Sequence, residues 1–447
     1  MSRHFAFLLV SSALMLSAQT AYAGSFEDAL AAAYTNNPEI KAQRQKQEAT
    51  DEQVSQAVSG FRPTITAEYD WARQRTAFAD APYSYGNGGV KALNVTEPLY
   101  KGGGTWSSYQ SALQKVKAGQ YDLSALEQRV LLDSITAYMN VVEASAILDL
   151  SRKNADILTE QLKAANTRFQ VGEVTRTDVA QSEARLSDAK TRVVTAEGDL
   201  LSQMASYERS IGVKPEGTLT VPDKLPELPL TLDDALAQAR DANPQLLSAL
   251  HIARASDYDV RTSQSVLLPQ VNLVGSLLRQ TGAGSDGVTD FSQDKVGVEV
   301  HVPLYQSGAE WSRVREAKAT ARERDHESID RRMSTDEAVT QSWEQLQSAV
   351  ASITTRNDQI KAETLALDGV KQEQQYGSRT VLDVLDAEQE LFTAKTNLVQ
   401  AQRNRIVAAY TLAFNLGELT PTLLGLNVET YDPQHHADKV DWKTIGW

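Results

Sequence analysis

Residues 294–311 read DKVGVEVHVPLYQSGAEW, and this stretch passes from the pattern of a strand to the start of a helix. The four valines at even positions from 296 to 302 alternate with glycine or a polar residue. A period of two is typical of a β-strand with two different faces. After Pro303 the alternation stops, and the residues that follow predict a long helix.

The same passage occurs earlier in the chain, which indicates an internal duplication. Residues 89–106 read GVKALNVTEPLYKGGGTW and share a Pro-Leu-Tyr, a glycine and a tryptophan with 294–311 at a shift of 205. Asp-Ala-Leu at 28–30 and Asn-Pro at 37–38 return after 206 residues, and five residues from Gly172 to Leu186 return after 205. This preserved register predicts two copies of one structural unit.

The duplication divides the chain into segments. Arg3, an apolar stretch at 5–16 and Ala-Tyr-Ala at 21–23 follow the order of a secretory signal peptide. Four prolines between positions 213 and 230 disfavour helix and indicate a linker. The predicted segments are a signal peptide at 1–23, a first repeat at 24–212, the linker at 213–230, a second repeat at 231–417 and a tail at 418–447.

Each repeat has the pattern helix, strand, strand, long helix, helix. The long helix is predicted to end at a turn, near residue 172 in the first copy and near residue 377 in the second. Because the two shorter helices together nearly match the long one, we expect them to stack end to end beside it. The predicted strands are at about 61–78, 89–100, 267–280 and 292–303, joined by Gly- and Asp-rich segments at 81–89 and 282–290.

The last helix of each repeat carries a seven-residue pattern. Val179, Leu186, Val193 and Leu200 follow this spacing in the first copy, with alanines between them. The second copy repeats the pattern from Val384. A strict heptad predicts left-handed supercoiling, and the alanines allow neighbouring helices to approach closely.

Composition excludes several classes of protein. The chain has 447 residues, a formal charge of −14 and no cysteine, which argues against nucleic-acid binding, disulfides, thiolate zinc sites and a lipidated cysteine. The glycines at 102–104 lack the ending of a phosphate-binding loop, and we interpret His435 and His436 as part of a solvated tail. No nucleophile–base pattern stands out, so we predict no enzyme, no cofactor and no metal site.

The strands predict an oligomer if they cross a membrane. A sheet in lipid has to close because every backbone N–H and C=O needs a partner, and closed barrels start at about eight strands. Three chains give twelve strands, whereas two give a barrel that side chains nearly fill. A wide conduit favours the trimer. Trp106 and Trp311 lie at the junction of the second strand of each pair with the long helix. Membrane interfaces favour tryptophan, which agrees with strands that cross the membrane.

These motifs resemble the TolC-type outer-membrane efflux and secretion channels, in the branch without a lipid anchor. The resemblance rests on residues 294–308, on GSRTVLDVLDA at 377–387, on Arg168-Phe169-x-x-Gly172 and on Thr-Asp-Val at 177–179. It implies a mainly α fold with a small transmembrane β part, as a homotrimer with a twelve-stranded β-barrel on a twelve-helix coiled-coil α-barrel. The implied location is the outer membrane of a Gram-negative cell, in contact with its lipid and extending into the periplasm.

The resemblance also implies partners and site residues. The partners are a periplasmic adaptor protein and an inner-membrane ABC or proton-driven pump, for type I secretion or multidrug efflux. The tips at Phe169, Gly172 and Gly377 would dock the adaptor. The residues implied at the periplasmic entrance are Asp383, Asp386, Arg379, Thr177, Asp178 and Tyr376.

The residues by themselves leave simpler interpretations open. Asp383 and Asp386 lie three apart on one helix face, which suits stacked acidic rings in a trimer but also suits the dipole of a helix start. Arg379 has Asp383 four residues away as an ordinary surface partner. The pattern departs from the family at Gln374, where an aromatic residue is usual. A soluble periplasmic coiled-coil adaptor or scaffold is the alternative function.

Overall fold

The structure is a computed structural model that describes residues 25–76, 84–222, 224–282, 290–441 and 443. The predicted signal peptide lies outside the described residues, as do 81–83 and 283–289 of the two segments expected to join the strands. The rest of the first joining segment, 84–89, belongs to a strand that begins earlier than the predicted position 89, because its backbone pairs with the preceding strand as far as Ser84. The strands are β1 (Thr64–Thr76), β2 (Ser84–Lys101), β3 (Gln270–Gly282) and β4 (Asp290–His301). The helices are α1 (Phe26–Asn36), α2 (Pro38–Val58), α3 (Gly104–Gln170), α4 (Arg176–Ile211), α5 (Leu232–Ala242), α6 (Pro244–Ser265), α7 (Ala309–Gln375), α8 (Val381–Leu416) and α9 (Pro433–Val440).

The helices of the two halves match in length. The long helices α3 and α7 both have 67 residues, and the helices that follow them, α4 and α8, both have 36. A helix of 67 residues is about 100 Å long. Two antiparallel hairpins with helices of equal length therefore make up about half of the chain.

The first helix of each half is interrupted at an Asn-Pro pair, where the chain meets the end of another helix. Asn37 caps α2 and its Nδ2 donates to the carbonyl of Ser210 at 3.2 Å, next to the end of α4. Asn243 caps α6 in the same way and donates to the carbonyl of Asn415 at 2.9 Å, at the end of α8. In each half the asparagine side chain thus donates to a terminal carbonyl of one helix and caps the start of another. The shorter helices consequently meet end to end.

The strands form one antiparallel sheet with the order β1-β2-β3-β4. β1 begins directly after Pro63 and β3 directly after Pro269, since proline has no N–H for the ladder. Both strands therefore start later than the predicted positions 61 and 267. A register shift between Pro98 and Tyr100 marks an irregularity in β2.

The pairing separates the sheet into an apolar and a polar face. One row across the four strands consists of Ile65, Val95, Gly275 and Val296, each paired with the next. This face has no covering layer among the described residues, and Val296 is 84% exposed. The opposite face begins with a row of polar residues, namely Thr66, Asn94, Ser276 and Lys295.

A hydrophobic core lies where the ends of several helices meet around the middle of α3. Leu30, Leu131 and Tyr138 are fully buried in it. α3 is long enough and, over one stretch of 18 residues, apolar enough to cross a membrane, but half of that stretch is buried inside the protein. The core helix of a soluble protein has the same length and composition, so this stretch is weak support for a membrane span.

The C-terminal tail packs against α2 rather than lying free in solvent. His436 on α9 is 3.0 Å from the carboxylate of Asp51, which is fully buried. Burial raises the pKa of Asp51, against hydrogen bonds from His436 and Gln47 that lower it. Our interpretation of the His435–His436 pair as solvated is therefore wrong for His436, because long-range packing of α9 supplies a partner that the local sequence does not reveal.

Candidate functional site

The two hairpins end side by side in turns with the same backbone. Gly172 has φ of +81° and Gly377 has φ of +80°, a conformation that costs other residues about 1–2 kcal/mol. A cavity of about 390 Å³ lies between the tips and is lined by Arg168 and Asp178 from one tip and by Gln374 and Arg379 from the other. The site therefore joins segments that are about 200 residues apart in the chain.

Each tip is followed by a helix that starts with a capping box. The carboxylate of Asp178 accepts hydrogen bonds from the backbone N–H and the hydroxyl of Thr175, at 2.8 and 2.7 Å. Asp383 does the same with Thr380, at 2.8 Å for both bonds. In a single chain Asp178 and Asp383 therefore each stabilise the start of a helix.

The hydrogen bonds of the second box also affect ionisation. The pKa of Asp383 lies below its ordinary value of 3.8, first because the Thr380 backbone N–H donates to the carboxylate and then because the Thr380 hydroxyl does. The positive charge of Arg379 lowers it further. The carboxylate is consequently negative at neutral pH.

Arg379 pairs within its own hairpin. Its Nε lies 2.8 Å from Oε2 of Glu373, which precedes the turn, and both side chains are about half exposed. The hydrogen bond to Glu373, the charge of Glu373 and the charge of Asp383 raise the pKa of Arg379, in that order. The closest partner is thus Glu373 rather than the Asp383 that spacing suggested.

Asp386 forms an ion pair with the other hairpin. Its Oδ1 lies 2.5 Å from Nη2 of Arg185, in α4 of the first hairpin. Beside this pair, Leu158, Leu186 and Ala189 of the first hairpin pack with Val381 and Leu385 of the second. An apolar cluster with an ion pair at its border therefore joins the two tips.

The remaining predicted site residues are exposed in the single chain. Tyr376 is 89% exposed and Phe169 is 43% exposed, and Thr177 next to the first capping box is also exposed. Trp106 and Trp311, at the start of α3 and α7, are 58% and 57% exposed. These side chains are accessible for contacts outside the single chain.

Sequence reasoning missed three charged partners at this site. Arg185 and Glu373 are the partners of Asp386 and Arg379, and Lys371 lies 2.6 Å from the buried Glu388 within the second hairpin. The spacing of Glu373 and Arg379 across the turn was a usable signal. Arg185 is about 200 residues from Asp386, and no local pattern links them. Within the described part of the chain no group of three or more His, Asp or Glu residues could hold a metal ion.

Comparison with known proteins decides the family. A family model described as "Outer membrane efflux protein" matches residues 29–213 and again 235–418. The chain belongs to the outer membrane efflux protein family. The double match follows the two halves of the structure, each with its long hairpin and pair of strands.

Individual relatives extend over nearly the whole chain. The outer membrane efflux protein BepC of Brucella suis is 34% identical over 444 residues, covering 98% of this chain and 96% of BepC. The outer membrane protein TolC of Escherichia coli is 25% identical over 409 residues, covering 88% of this chain and 82% of TolC. The crystal structure of CusC superposes with a TM-score of 0.79 at 16% identity, over 87% of this chain and 91% of CusC.

These findings confirm the fold class and the type of function expected from the motifs. The chain is a mainly helical outer-membrane channel protein of the TolC type, from a family of efflux and secretion channels. Its location is the outer membrane. Family membership favours the channel over the soluble adaptor.

Proposed function

We propose that three copies of this chain assemble into one conduit through the outer membrane. The observation that carries the proposal is the four-stranded sheet, with an uncovered apolar face and with β1 and β4 paired on one side only within the described residues. Backbone groups in lipid need partners, so these edges have to pair with other chains. Twelve strands close such a sheet around an open interior.

The strand order suits this closure. Strand directions alternate from β1 to β4, so β4 of one copy would run antiparallel to β1 of the next. The apolar face would then contact lipid, while the row from Thr66 to Lys295 would line the interior. Trp106 and Trp311 would lie at the periplasmic interface of the membrane, where tryptophan is favoured.

The hairpins would form the periplasmic part of the conduit, with the tips at its entrance. Asp383 and Asp386 would face the interior as acidic rings, and Arg379 would restrain neighbouring helices together with Thr177, Asp178 and Tyr376. The exposed tips at Phe169, Gly172 and Gly377 are the proposed docking points for a periplasmic adaptor. An ABC or proton-driven inner-membrane pump would supply the energy, since the conduit itself is passive and carries out no catalysis.

The test is to purify the full-length protein in mild detergent and measure both its mass and its conductance in planar lipid bilayers. We expect a complex with the mass of three chains, migration on gels that changes on heating, and stable single-channel currents. A preparation that contains only single polypeptides, or that conducts no current, contradicts the proposal. Efflux and secretion assays on a deletion strain then identify the cargo class.

A further inference from the structure

Among the described residues, the two hairpins are joined near their tips by one ion pair. Arg185 and Asp386 approach to 2.5 Å, and their side chains retain 36% and 51% of their exposure. Arg185 directly precedes the cluster residue Leu186, and Asp386 directly follows the cluster residue Leu385. The ion pair thus borders the surface along which the two tips would have to separate.

No other described ion pair performs this task at the tips, although Arg192 of the first hairpin also lies over the ring of Phe392 of the second, 5.5 Å from its centroid. Arg379 is bound to Glu373 of its own hairpin. The next ion pair between the hairpins in the described chain joins Arg403 to Glu143 at 3.7 Å. Arg403 lies 17 residues beyond Asp386 on α8, or about 26 Å along the helix. Among the described ion pairs, only Arg185–Asp386 opposes the separation of the tips directly.

The pair also determines the state of an acid expected to face the interior of the channel. While Asp386 binds Arg185, its charge is neutralised by a guanidinium that donates a charge-assisted hydrogen bond. Partly exposed ion pairs are weak enough to break and re-form. Separation of the hairpins would leave Asp386 as a free carboxylate.

We propose that Arg185 is a positioning residue that latches the two hairpins of one chain in the closed entrance and occupies Asp386 until the entrance opens. This inference rests on the proposed channel function. The latch couples two events, because the movement that widens the entrance also exposes a carboxylate. The open entrance therefore binds cations more strongly than the closed one.

The test compares single-channel conductance and block by Mg²⁺ in Arg185→Gln, in Asp386→Asn and in the wild type. Both variants lose the latch, so both should conduct more. Block by Mg²⁺ should differ between the two variants, because Arg185→Gln leaves Asp386 as an unpaired carboxylate whereas Asp386→Asn removes the carboxylate. We expect the half-blocking Mg²⁺ concentration to fall about threefold in Arg185→Gln and to rise in Asp386→Asn.

A matched control separates the latch from the change of charge. Lys190→Gln removes a positive charge from an exposed site on the same helix and should leave conductance near the wild-type value. The exchange of both residues, Arg185→Asp with Asp386→Arg, should restore wild-type conductance. Arg185→Gln channels with wild-type conductance and block overturn the latch alone, whereas a wild type that conducts no current overturns the proposed function as well.

A second measurement does not depend on breaking the pair. The chain has no cysteine, so Arg185→Cys with Asp386→Cys introduces the only two thiols. Joining them with a short bifunctional methanethiosulfonate should lower the current, and a reducing agent should restore it. A cross-linked channel, verified by mass spectrometry, with unchanged current also overturns the latch.

Discussion

The two hairpin tips have the same backbone conformation but different side chains. Both turn at a glycine with positive φ, and both continue into a 36-residue helix that starts with a Thr-Asp capping box. At corresponding positions, however, the first tip has Arg168 and Val174 where the second has Glu373 and Arg379. Val174 packs against the apolar cluster between the hairpins, while Arg379 pairs with Glu373 at the surface.

This difference shows what a duplicated unit keeps and what it is free to change. The capping box and the glycine satisfy backbone groups that every helix end leaves unpaired, so both copies retain them. The side chains around the turn satisfy no such requirement. The first tip contributes apolar contact between the hairpins, and the second contributes charge at the proposed entrance.

The largest expected effect comes from the apolar cluster that both tips share. Leu385→Ala should lower the free energy of unfolding by about 2–4 kcal/mol, because it removes a side chain that is only 2% exposed. Thermal unfolding followed by circular dichroism measures this loss. Leu382→Ala, at a neighbouring residue with 36% exposure, is the control and should change stability little. Equal losses would show that the cluster does not hold the tips together.

The capping boxes provide a direct test of backbone equivalence. Thr175→Ala and Thr380→Ala should each cost about 1 kcal/mol, since each removes the side chain that caps one helix. The exposed Thr177 lies outside the cap, and Thr177→Ala should be nearly neutral in the same unfolding experiment. A clear inequality between the two cap variants would contradict the equivalence of the tips.

The charged pair of the second tip tests the chemical difference. Arg379→Ser removes the partner of Glu373 and should increase single-channel conductance with no measurable loss of thermal stability, because the ion pair is exposed. Val174→Ser at the corresponding position of the first tip should instead lower stability through lost apolar contact. Unchanged conductance in Arg379→Ser would refute the proposed role of this arginine at the entrance.

The smallest expected effect is the dependence of the second cap on pH. The pKa of Asp383 is lower in the folded chain than its ordinary value of 3.8. The ionised carboxylate therefore stabilises the fold above pH 3.8, and this contribution is lost as the pH falls through the lower folded value. Thermal unfolding of the wild type and of Asp383→Asn should differ at neutral pH and converge at strongly acidic pH. A constant difference across this range would show that ionisation of Asp383 plays no part.

Periodicity and resemblance predicted much of the fold and some of the site. The shift of 205 residues predicted two long helices with corresponding turns, and the structure has them at Gly172 and Gly377. The family motifs indicated Asp383, Asp386 and Arg379 as neighbours of those turns. The partner of Asp386 could not be predicted in this way, because Arg185 lies in a different hairpin and has no counterpart of the same charge in the second repeat.

The sequence by itself determined the local structure of this protein. Helices, strands, caps and turns follow from backbone preferences and from repeating apolar positions, which act over a few residues and are written twice in this chain. The tertiary structure alone decided which charges from distant segments of the chain meet. Asp386 finds Arg185 and Asp51 finds His436 because packing brings distant helices into one register, and that register depends on the summed contacts of whole helices rather than on any short motif.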